Sequence, residues 1–98
     1  MEWIAKQPYI KVLREVNGLE QTDVEDERLL YLYPDQVVTK HRTFPIKEVR
    51  DISYREIAGQ GGLLYLHTMS GVYSYIVKSS PEKFIEVFKQ QRKNWYPM

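Results

Sequence analysis

The residues equipped for chemistry in this chain of 98 residues are few and scattered. Lys40, His41, Arg42 and Lys47 gather on either side of Thr43-Phe44-Pro45. Cationic donors at that spacing suit a phosphate or an acidic peptide, because charge-assisted bonds must offset the dehydration of an anionic ligand. A short charge cluster is also the ordinary composition of a solvated hairpin end. Ser70 or Ser74 with His67 and Asp51 supply the residue types of a Ser-His-Asp hydrolase. Neither serine lies in anything that resembles a Gly-x-Ser-x-Gly nucleophile elbow, so an enzyme is not expected. Glu20, Asp23, Glu25, Asp26 and Glu27 crowd one segment that ends at Arg28. A calcium loop needs acids at alternating positions, then a glycine and a distal glutamate, and Asp23-Val24-Glu25-Asp26-Glu27 lacks that order. The acidic segment from Glu20 to Arg28 therefore reads as a mobile, solvated loop. Gly59-x-Gly61-Gly62 leads into a strand pattern, where no helix N-terminus offers backbone donors, so it reads as a hairpin loop and not a phosphate cradle. No metal and no cofactor are expected.

Eight tyrosines are present. Tyrosine covers apolar area while keeping its hydroxyl in water, which suits half-exposed sheet faces and protein interfaces alike. Tyr65, Tyr73 and Tyr75 have the rings to stack bases, but Lys78 is the one basic residue on their segment, and a base-stacking platform needs a positive groove for the backbone. No nucleic acid is expected. The residues expected to bind are Lys40, Arg42, Lys47, Tyr65, Met69 and Tyr73. The expected partner is a protein or a second copy of the chain as a homodimer, ahead of a lipid or other anion.

Composition narrows the setting. A net charge of +1 gives no global field for nucleic acid or an anionic membrane. The absence of cysteine excludes disulfides, thiolate nucleophiles and Cys-ligated metal centres. The apolar run Leu63 to Leu66 is far short of the ~20 residues that span a bilayer, and Met1 to Lys6 lacks a signal-peptide core. A cytoplasmic protein is the expectation.

The elements that must position these residues are mostly strands. Pro8 to Val16 reads as a strand ended by Asn17-Gly18, with Trp3-Ile4 leading into it. Leu29 to Tyr33 and Gln36 to Arg42 form a hairpin about Pro34-Asp35, a pair suited to a type I turn. An irregular stretch through Ile46 leads to a strand from Arg50 to Ile57. Leu63 to Met69 returns through Ser70-Gly71 as Val72 to Lys78, with Met69 opposite Val72. One face of that hairpin then carries Leu64, Leu66, Thr68, Tyr73, Tyr75 and Val77 and lines the core; the other is expected to be partly covered. The spacing of Phe84, Ile85 and Phe88 predicts an amphipathic helix over 80–93, with Ser80 as N-cap and Pro81 in its first position. Too short to stand alone in water, that helix must dock on the sheet. The tail Asn94-Trp95-Tyr96-Pro97-Met98 is expected to fold back onto it. The fold class is mainly β, six to seven antiparallel strands capped by one C-terminal helix, in a single domain over 1–98.

Four segments carry a family resemblance: the tyrosine hairpin closed by Pro34-Asp35, Phe44-Pro45-Ile46-x-x-Val49-x-x-Ile52, Gly62-Leu63-Leu64-Tyr65-Leu66-His67-Thr68-x-x-Gly71 and Pro81-Glu82-Lys83-Phe84-Ile85. Together they resemble bacterial domains of the pleckstrin-homology-like superfold and, more distantly, GRAM domains. The resemblance implies a bent sandwich or partly open barrel whose open corner the helix plugs, and a non-catalytic binding module. Phosphoinositide binders of that superfold place a basic cluster after the first strand. Here the corresponding segment is acidic.

Overall fold

Ala5, Gln7 and Tyr9 are buried while Lys6 and Pro8 are exposed, the period of two that a strand with one covered face requires. A computed structural model describes residues 2–59 and 61–95. In it β1 (Ala5–Asn17) turns at Gly18-Leu19 into β2 (Glu20–Tyr33). Pro34-Asp35 closes the next hairpin onto β3 (Gln36–Val38), which pairs with β4 (Thr43–Pro45). A 3₁₀ turn (Ile46–Glu48) leads to β5 (Val49–Glu56), then β6 (Gly62–Thr68), β7 (Gly71–Val77) and α1 (Glu82–Trp95). The seven strands form one antiparallel sheet in the order β4-β3-β2-β1-β7-β6-β5. Its halves meet at a single bridge, Ile10 opposite Ile76.

The sheet curls on itself. Phe44 on β4 lies 5.0 Å from the ring of Tyr73 on β7, although three strands separate them in the sheet order. Inside the curl Leu30, Leu32, Val37, Ile46, Val49, Ile52, Leu64, Leu66 and Val77 are buried together with Phe84 and Phe88 of α1. The opposite side of the helix, Glu82, Lys83, Glu86, Lys89 and Gln90, is exposed. Gln91 donates to the carbonyl oxygen of Pro34 at 2.8 Å and Arg92 to that of Val49 at 3.1 Å, fastening the later turns of the helix to both halves of the sheet. This architecture, mainly β with one C-terminal helix, is compatible with a pleckstrin-homology-like fold.

The helix, expected over 80–93, runs two residues later, and Pro81, expected in its first position, precedes it. Pro81 supplies the carbonyl that accepts the first helical bond, from Ile85 at 2.9 Å, and the Ser80 hydroxyl takes the N–H of Glu82 at 3.4 Å. The aromatic tail expected to fold back lies outside the described residues, apart from the helical backbone at 94 and 95. Ser70-Gly71 is not the loop of the last hairpin: Thr68 pairs with Gly71, so Met69 and Ser70 form it and His67 stands opposite Val72. The expected faces survive, because the register moves by an even number of residues and parity decides the face. The strand expected to run from Gln36 to Arg42 stops at Val38. There Thr39 ties the chain into a turn, accepting on its hydroxyl from the N–H of Arg42 at 2.9 Å and of His41 at 3.3 Å. Phe44, expected in a connection, sits on β4 opposite Val37.

The largest departure concerns the acids. Glu20 to Arg28 is no loop but the first two-thirds of β2, in register with β1 from Asn17↔Glu20 to Tyr9↔Arg28. Backbone pairing to β1 overrides the local composition. Because β3 meets β2 only from Tyr31 onward, and β7 meets β1 only at Ile10, the outer part of this hairpin stands away from the core as a two-stranded arm. Every residue from Lys11 to Glu25 is exposed. The arm makes the molecule 58 Å long and raises its radius of gyration to 15.0 Å, against roughly 13 Å for a compact chain of this length.

Candidate interaction site

Two features of the surface have the makings of a site: the arm, and a cleft at its root. On the arm, Val12, Val16, Arg14 and Gln21, Asp23, Glu25 share the outer face, while Lys11, Leu13, Glu15 and Thr22, Val24, Asp26 share the inner one. Val12, Leu13, Val16, Leu19 and Val24 are exposed, Leu19 completely, at the tip. Charges cross the hairpin in opposed pairs. Arg14 lies 3.5 Å from Asp23, and Lys78 at the end of β7 reaches Glu25 at 2.6 Å, which steadies the root of the arm against the rest of the sheet. Donating that hydrogen bond to the Glu25 carboxylate raises the pKa of Lys78.

The two edges of the arm differ. On β2 the stretch from Glu20 to Glu27 presents five acidic side chains, the device by which proteins keep an open edge from pairing. On β1 the stretch from Lys11 to Val16 holds three apolar residues, two cations and Glu15 alone as an acid. The β1 edge is the less protected.

Where β1 and β7 part beyond Ile10 and Ile76, a cleft of about 480 Å³ opens, lined by Tyr9, Lys11, Arg28, Thr39, His41, Arg42 and Tyr75 among others. Its cations are partly committed. Arg28 donates to Asp26 at 2.7 Å, a hydrogen bond that holds the carboxyl below its usual range and pushes the guanidinium further up. Arg42 lies over the ring of Tyr73 at 4.8 Å, a cation–π contact. Tyr75 meets Tyr9 edge to face at 5.0 Å, and burial pushes its phenol up to about 12, the neighbouring Tyr9 adding to the effect.

The residues expected to bind do not converge. Arg42 and Tyr73 do meet, on the inner side of the sheet. Lys40 lies two residues before Arg42 but turns toward Asp26, 3.8 Å away, and lines a separate depression with Tyr31 and Tyr33. Lys47 is on the 3₁₀ turn. Tyr65 lies on the outer face beside His67, at 6.3 Å between rings, and Met69 is 63% exposed in the β6–β7 loop. On that outer face Leu63, Tyr65 and His67 of β6 are half-buried, in line with the partly covered face expected, while Val72, Ser74 and Ile76 of β7 are exposed. The cleft instead draws on Lys11 and Arg28, which lie on different strands and come together only through the β1–β2 register.

His67 accepts from or donates to Ser53 at 2.7 Å, on the outer face, with Asp51 directly across the β5–β6 ladder. Neither Ser70 nor Ser74 is its partner; Ser70 bonds Thr68 at 3.2 Å. The Ser53–His67 pair lies within the regular β5–β6 ladder, both residues half-buried. Among the described residues no three of His, Asp and Glu come together as metal ligands. No helix among them is long and apolar enough to cross a membrane.

No family model matches the chain, and no curated protein is significantly similar to it.

Proposed function

We propose that this protein is a non-catalytic interaction domain of the pleckstrin-homology-like kind, akin to the bacterial and GRAM-type members it resembles in sequence, and that it binds a protein through the β1–β2 arm. The observation that carries the reading is the arm itself: a two-stranded extension whose exposed Val12, Leu13, Val16, Leu19 and Val24 add nothing to the core. An exposed strand edge supplies a row of backbone donors and acceptors, and the side chains on its two faces supply selectivity. Affinity capture from the native cell, comparing the parent chain with Val12→Asp/Val16→Asp, tests it. A protein retained by the parent and lost by the variant is the expected result; an identical set retained by both overturns the reading.

The alternative is an anion or acidic-lipid module, favoured by the meeting of Lys11, Arg28, His41 and Arg42 around one cleft. It is the weaker reading, since Asp26 already engages Arg28 and approaches Lys40, and Tyr73 lies beneath Arg42. Sedimentation with vesicles containing acidic lipid at low salt decides between them, because an electrostatic headgroup contact is strongest there.

A further inference from the structure

Resting on the reading that the arm binds protein, we infer that its partner is a second copy of this chain, joined edge to edge along β1 about a two-fold axis at Leu13. The direction of the free backbone groups comes first. The two-residue loop at Gly18-Leu19 makes Asn17↔Glu20 a hydrogen-bonded pair, so by alternation Glu15, Leu13 and Lys11 bond inward to β2. Val12, Arg14 and Val16 then turn their N–H and C=O outward, as Ile10 does where it meets Ile76. A two-fold antiparallel pairing must place these outward groups opposite one another.

Charge then narrows the register. Centred on Leu13, the pairing sets Val12 opposite Arg14 of the second copy and Lys11 opposite its Glu15, and each pair occurs twice by symmetry. Centred on Arg14, it would oppose two arginines; centred on Glu15, two glutamates. Like charges directly opposite are destabilising and opposite charges favourable. On the β2 edge, every two-fold pairing centred from Asp23 to Glu27 sets acids directly opposite acids. At the far end of the Leu13 register, Glu15 of the second copy arrives beside Lys11, at the mouth of the cationic cleft shared with Arg28 and Arg42. The gap between β1 and β7 provides the room, and the Ile10–Ile76 bridge ends the pairing there. A two-fold contact of this kind closes at the dimer.

The chain has no cysteine, so Leu13→Cys places the sole thiol on the axis, where the facing pair is a non-hydrogen-bonded one with close Cβ atoms. Under mild oxidation this variant should form a covalent dimer at least tenfold faster than Leu19→Cys at the tip. By light scattering at rising concentration the parent should reach twice its monomer mass and stop. Lys11→Glu alone and Glu15→Lys alone should stay monomeric, while an equimolar mixture of the two, which restores both ion pairs, should regain the dimer and so excludes misfolding as the cause. Equal cross-linking of the two thiols, or a mass that keeps growing because β1 of one copy adds to β2 of the next, overturns the inference. A parent that stays monomeric yet still captures a protein through Val12 and Val16 also overturns it while leaving the proposed function standing.

Discussion

Phe88→Ala is the substitution that most directly tests whether the helix closes the curled sheet. Phe88 is fully buried, with Phe84 on the same side of the helix and the sheet residues Leu64, Leu66 and Val77 in the same core. Truncation removes the transfer free energy of the ring and leaves a cavity, a loss of about 3–5 kcal/mol. Single domains hold only about 5–15 kcal/mol in all, so the variant should be folded but marginal. At about 2.1 cal/mol/K per residue the unfolding entropy of this chain is about 0.2 kcal/mol/K, so Tm should fall by about 15–25 °C. Circular dichroism at helix and sheet wavelengths should show one coincident transition, shifted as a whole. Glu86→Ala, on the exposed side, should move it by less than about 0.5 kcal/mol. If Phe88→Ala melted within about 5 °C of the parent, the helix would be an appendage, and a core assembled from both the sheet and α1 would be refuted.

Replacing 12–25 by a tight Asn-Gly turn, so that Lys11 still faces Asp26, should leave the melting temperature nearly unchanged, since no residue removed is buried; a large drop in a thermal scan would show the arm to be structural. Tyr75 has its phenol raised above the ordinary 10 to about 12, so its contribution to stability is whole below pH 10 and is lost as pH rises from 10 to 12. Ultraviolet titration should show a late phenolate that disappears in Tyr75→Phe, and its persistence in that variant or its absence from the parent would refute the burial argument. Gly59→Ala, in open space at φ +71, should cost only the left-handed penalty of about 1–2 kcal/mol. Gly61→Ala should cost distinctly more by urea denaturation, because its Cβ would overlap the carbonyl of Val77.

What was legible in the sequence follows from parity and period. The side-chain period of two made the inner face of the last hairpin, Leu64, Leu66, Thr68, Tyr73, Tyr75 and Val77, readable despite a misplaced loop, and the period of Phe84, Ile85 and Phe88 located the helix to within two residues. The cleft was not readable, because Lys11 and Arg28 come near each other only through the β1–β2 register, and Arg42 joins them through a turn set by Thr39. Sequence proximity instead points to Lys40, which approaches Asp26 and lines a separate depression, and to Lys47 on the 3₁₀ turn.

The acidic segment was misread for a physical reason that bears on function. Glu20, Asp23, Glu25, Asp26 and Glu27 have poor strand propensity one by one, and composition alone cannot separate a loop from an edge strand whose charges are selected against pairing. The partner strand separates them: Arg14 faces Asp23 and Lys11 faces Asp26 in the ladder, so part of the acidity is neutralised across the hairpin. Glu25 and Asp26 are engaged further by Lys78 and Arg28, and the acids left over stand on the faces beside the open β2 edge, where they repel a further strand of like charge. Val12, Leu13 and Val16 on the β1 edge carry no such guard. Crowding acids on one edge while the other interleaves apolar residues with charges of both signs makes the extension asymmetric, and that asymmetry is what supports the proposal that the arm is a binding element and not an overlong turn.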